Sequence, residues 1–73
     1  MSSVEWKEDD YGDYHGYCDS RLVGSAFRTE YSKRKLVGWL PVIFNKDGTA
    51  DSLSSGTVLT VEKAIALVEE ELQ

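Results

Sequence analysis

Short stretches of strand-like pattern fill the chain up to about Leu59, and from Thr60 the apolar residues recur at helical spacing instead. Alternation first shows at Val4–Trp6, a short strand candidate. "KEDDYGD" follows as an acidic loop. The segment "YHGYCDSRLVGSAFRTEY" is rich in β-formers, and a break near "CDSR" divides it into Tyr14–Cys18 and Leu22–Tyr31, successive strands of a hairpin. In the second, Val23, Ser25, Phe27, Thr29 and Tyr31 share one face and Leu22, Gly24, Ala26 and Arg28 the other. The first face is the better core candidate, because it carries the larger apolar side chains.

"SKRK" reads as a basic turn, and "KLVGWLPVIF" as the strongest strand. Both of its faces are apolar, which places it centrally or under cover on two sides. Pro41 pulls the other way: it has no ladder donor and favours an edge or a bulge. "NKDG" is a turn in which Gly48 is free to take positive φ. "TADSLSSGTVL" reads mainly as loop, with at most a short strand at Thr57–Leu59. In "TVEKAIALVEEEL", Thr60 is a good N-cap, and Val61, Ala64, Ile65, Val68 and Leu72 form one apolar stripe. The pattern therefore predicts an α+β fold: a three- to four-stranded antiparallel sheet with one C-terminal helix packed on a face.

Seventy-three residues make one domain, residues 1–73. A core of this size leaves a margin of only about 3–5 kcal/mol unless something staples it. A single cysteine forms no internal disulfide, so packing and self-association remain, and a homodimer is one expectation. The lone Cys18 suits a reducing, cytoplasmic setting. No apolar run approaches the roughly 18 residues of a membrane span, and "MSSVEWKEDD" lacks the basic and apolar regions of a signal peptide. The net charge of −5 is laid out in blocks: residues 1–20 carry −5, residues 21–46 carry +5 and residues 47–73 carry −5. The acidic total disfavours a general nucleic-acid binder, while the middle block supplies a local basic footprint. Glu69, Glu70 and Glu71 crowd a helix end whose dipole disfavours anions by about 0.3–1 kcal/mol each. A basic partner, the 33–35 cluster or solubility would account for them.

The chemistry concentrates in "DDYGDYHGYCDS", which holds the only histidine and the only cysteine. A metal would need Asp10, Asp13, His15 and Cys18 to converge. In a strand, His15 and Cys18 point to opposite faces, and thiolate and carboxylate prefer different metals. The same parity separates a Cys–His nucleophilic pair, and no third orienting residue is evident. Cys18 then reads as a small buried residue and His15 as a surface one. No phosphate loop, EF-hand or nucleophile elbow is present. Neither a cofactor nor an enzymatic activity is expected. If the strand were continuous, Tyr11, Asp13, His15, Tyr17 and Asp19 would line one side, with Tyr14 and Cys18 towards the core. Asp9, Asp10, Tyr11, Asp13, Tyr17 and Asp19 are thus the candidate partner-binding residues, an acidic aromatic surface for a basic protein face. The alternative is nucleic-acid binding through Arg28, Tyr31, Lys33, Arg34 and Lys35 on the basic turn.

"GW" at 38–39 inside an apolar strand and the rhythm of "TVEKAIALVEEEL" resemble small phage- or prophage-encoded proteins in which a β-sheet precedes one helix. That resemblance implies an accessory or host-inhibiting factor and carries over no binding residue. In element order the chain also resembles the three-stranded DNA-binding domains of integrases, which is what the nucleic-acid alternative would use.

Overall fold

The computed structural model describes residues 4–31, 33 and 36–72, with only the backbone of Tyr31. The chain forms β1 (Glu5–Glu8), β2 (Tyr14–Cys18), β3 (Arg21–Tyr31), β4 (Leu36–Phe44), β5 (Ala50–Ser52) and α1 (Val61–Glu71). The strands make one five-stranded sheet in the order β1-β2-β3-β4-β5, each antiparallel to the next. The class is the α+β expected, but the sheet has five strands rather than three or four. The added strand, β5, falls in the Ser- and Gly-containing segment read as loop. Its three residues are all exposed, so no apolar alternation marks it.

α1 packs on β4 and β3. Thr60 caps it as its sequence suggests, its hydroxyl accepting from the Lys63 N–H at 3.2 Å. Ala64 and Val68 are its buried residues. The helix covers the Gly24 face of β3, not the Ser25 and Phe27 face favoured by the alternation. Close approach explains the choice: a Cβ at Gly24 would collide with Val68 Cγ1 and lie 3.0 Å from the Val42 carbonyl oxygen. Small residues let helix and sheet backbones come together, so the apparently weaker face is the one that packs. Gly16 does the same for Trp6, since a Cβ there would stand 3.1 Å from the indole. Tyr14 meets Trp39 edge-on on this side, with ring centroids 5.6 Å apart.

Ser25 is fully buried nonetheless, and Val23 nearly so. His15 and Phe27 lie edge to face at 6.1 Å beside Ser25. Pro41 is buried inside β4 without breaking the sheet. Its carbonyl accepts from Leu53 N–H at 2.9 Å, so its backbone edge faces the β5 side. There the pairing lapses between Val42↔Ser52 and the isolated Trp39↔Val58 bridge, and the absent donor costs no ladder bond. Among the described residues no helix is long and apolar enough to cross a membrane.

Candidate functional site

Asp9 is the hub of the loop between β1 and β2. Its Oδ1 accepts from the N–H groups of Tyr11 and Asp13, both at 2.9 Å. Its own N–H donates to the Asp13 carbonyl at 2.9 Å, and Gly12 completes the turn at φ +85°. Oδ2 meets His15 Nε2 at 2.7 Å, and His15 Nδ1 meets Ser25 Oγ at 2.7 Å. An ionised carboxylate only accepts, so Nε2 carries the hydrogen. In the neutral ring Nδ1 is then the acceptor and Ser25 O–H the donor. The bond from His15, with those from Asp13 and Tyr11, holds the Asp9 carboxyl below the ordinary aspartate range.

Asp9, His15 and Ser25 therefore form a continuous chain of hydrogen bonds, and the half-buried His15 is not the free surface residue its sequence suggested. The composition is that of a hydrolytic triad, but the geometry is not. The serine bonds the ring nitrogen that a triad gives to the aspartate. Ser25 also has no exposed surface, so its hydroxyl meets no substrate here. What the arrangement does is tie the β1–β2 loop to β3.

Asp13 is committed too, accepting from Arg28 N–H at 2.7 Å. The proposed acid-and-tyrosine row thus divides into three. Asp9 and Asp13 are engaged within the protein, Asp9 with the loop amides and His15 and Asp13 with β3. Asp10 and Tyr11 are presented at its tip, Tyr11 at 86 % exposure. Tyr17 and Asp19 lie at the far end of β2, along a shallow groove with Glu5, Lys7 and Ser20. There the Lys7 ammonium sits 5.6 Å from the Tyr17 ring centroid. Cys18 is half-buried. Among the described residues no three His, Cys, Asp or Glu side chains converge to hold a metal.

Of the basic set, Arg28 faces Glu30 at 3.4 Å. Lys33 is exposed in the β3–β4 turn. Arg34, Lys35 and the Tyr31 side chain lie outside the described residues. Of the three terminal glutamates, Glu69 accepts from Trp6 Nε1 at 3.3 Å, which gives it an internal role.

The Asp9–His15–Ser25 chain escaped the sequence reading because of one irregularity. A two-residue turn at Asp19–Ser20 pairs Cys18 with Arg21 and, by simple counting, His15 with Gly24. A shift of register after Gly16 makes the partner Ser25 instead. Comparison with known protein families, curated proteins and solved structures found no match, so the functional reading rests on the chain's own residues.

Proposed function

We propose that this is a small, acidic, non-enzymatic interaction protein that docks on a basic protein surface, an accessory or inhibitory factor of the phage type. The observation that supports it most is the tip of the β1–β2 loop. Asp9 engages its carboxylate with the loop amides and His15, Asp13 engages its own with the Arg28 N–H of β3, and the ordered turn holds Tyr11 out in solvent beside Asp10. A tyrosine whose backbone is already fixed in a turn has less conformational freedom left to lose on binding, which suits it to anchor an interface. Adjacent acid steers it towards positive charge. The lone cysteine fits a cytoplasmic setting.

The test is capture of partners by the tagged protein in its native host, repeated with Tyr11→Ala and Asp10→Lys. Each variant should weaken binding of the captured protein at least fivefold, and Asp10→Lys should also reduce its salt sensitivity. Binding unchanged in both overturns the reading. Asp9 and Asp13 are unsuitable for this test because their loss disturbs the loop.

The alternative is a small nucleic-acid-binding domain using the sheet and the 28–35 turn, and the exposed Lys33 favours it. The Arg28–Glu30 pair weakens it by occupying one guanidinium. It requires a salt-dependent gel shift, lost on replacing Lys33, Arg34 and Lys35; no shift at low salt rejects it.

A further inference from the structure

The two edges of the sheet are finished differently. β5 is three residues long, and the chain beyond it returns to bridge β4 at Trp39. A short, interrupted edge is a poor template for another strand. β1 is the other edge, and among the described residues nothing pairs with its outer side.

Its backbone orientation follows from the ladder. Asp9 N–H donates inward to Asp13, in the same register that pairs Lys7 with His15 and Glu5 with Tyr17. Antiparallel bonds alternate along a strand, so the amides of Glu5 and Lys7 also point towards β2. Those of Trp6 and Glu8 point outward, with unpaired N–H and C=O groups.

The side chains of this edge are self-complementary. Antiparallel pairing of β1 with a second β1, centred on Trp6, sets Trp6 opposite Trp6 as a hydrogen-bonded pair that exchanges two N–H···O=C bonds. Glu5 then faces Lys7 of the other copy, and Lys7 faces its Glu5. These are non-hydrogen-bonded positions, where side chains come closest. Both side chains are free to reorient, at 73 % exposure for Glu5 and 64 % for Lys7, and their contact within one chain is a loose 3.7 Å.

We propose that β1 is a homotypic docking edge: two copies of this chain join β1 to β1 about Trp6, forming a two-fold dimer with a continuous sheet and reciprocal Glu5–Lys7 pairs. The symmetry is closed and the interface isologous, so pairing stops at two. A four-residue edge buries well under the roughly 1,200 Å² of a stable interface, and each copy brings a charge of −5. The dimer is therefore transient.

Sedimentation at low salt, up to about 1 mM where weak contacts populate, tests it with two exposed charge swaps. The natural chain should dimerise with rising concentration, and its Trp6 and Glu8 amides should gain exchange protection as it does. Glu5→Lys and Lys7→Glu should each weaken dimerisation at least tenfold, because each sets like charges opposite one another. An equimolar mixture of the two should form a mixed dimer, since one chain then carries lysine at both positions and faces a chain with glutamate at both. A natural chain that stays monomeric, undiminished dimerisation in either variant, or a mixture that fails to pair overturns the proposal. The amide protection is read on the unmodified chain and decides the matter even if a variant folds poorly.

Discussion

At the scale of single residues, the most consequential group is the Ser25 hydroxyl. It is completely buried, and it bonds one nitrogen of His15. A buried polar group deprived of its partner costs about 1–3 kcal/mol, whereas removing the group itself costs about 0.5–1.5 kcal/mol. His15→Ala should therefore destabilise more than Ser25→Ala, by roughly 1 kcal/mol or more. The double variant should be less destabilised than the two single effects added together. Urea unfolding of the three proteins checks this, and strict additivity would show that the two side chains do not act as a unit. The acid–histidine–serine series invites a catalytic interpretation, but burial of the serine and the reversed use of the ring nitrogens give the chain a mechanical role.

At the scale of elements, the β2–β3 hairpin carries a local strain that the sequence only half explains. Asp19 and Ser20 both have positive φ, at 52° and 66°. That is the geometry of the tight turn whose twist matches antiparallel strands. Aspartate tolerates the left-handed region; serine gains little there. Ser20→Gly should stabilise the protein by about 0.5–1 kcal/mol after the entropic cost of glycine is set against the relieved strain. Thermal unfolding reads the change, and an unchanged or lower midpoint refutes the strain. β3 and β4 teach a related lesson. Residue content identified both strands, β-formers in one and an apolar run in the other, yet the larger side chains did not decide which face receives α1. Gly24 and Ala26 decided it, because a helix packs where backbones can approach. The short β5 has no periodicity to read, and it exists because β4 offers it an edge.

At the scale of the whole molecule, acid should loosen the fold in a specific way. The folded-state pKa of Asp9 lies below its unfolded value, chiefly through the bond from His15 and then those from the Asp13 and Tyr11 amides. Asp47 is lowered likewise, by the hydroxyl and amide of Thr49. A depressed carboxyl contributes stability above its unfolded pKa, about 4, and loses it as the pH falls through the folded value. Stability should accordingly drop below about pH 4. The drop should be shallower in Asp9→Asn, which has no charge left to neutralise. Urea midpoints between neutral and acid pH measure both slopes, and parallel profiles would remove Asp9 from the account. The sequence alone determined the α+β class, the positions of the four longer elements, the Thr60 cap and the three charge blocks. These are properties of period, propensity and composition, which act over a few neighbouring residues. It also placed the chemistry in the segment from Asp9 to Ser20, an acidic loop and a strand that would line up as one row only if the strand were continuous. Only the tertiary structure decided that Asp9 and Asp13 turn inward while Asp10 and Tyr11 face out, and that His15 reaches Ser25. It also chose the helix-bearing face of the sheet and made β1 an edge strand. Each of these depends on register and backbone approach between segments distant in sequence, where one extra residue at a bulge changes every partner beyond it.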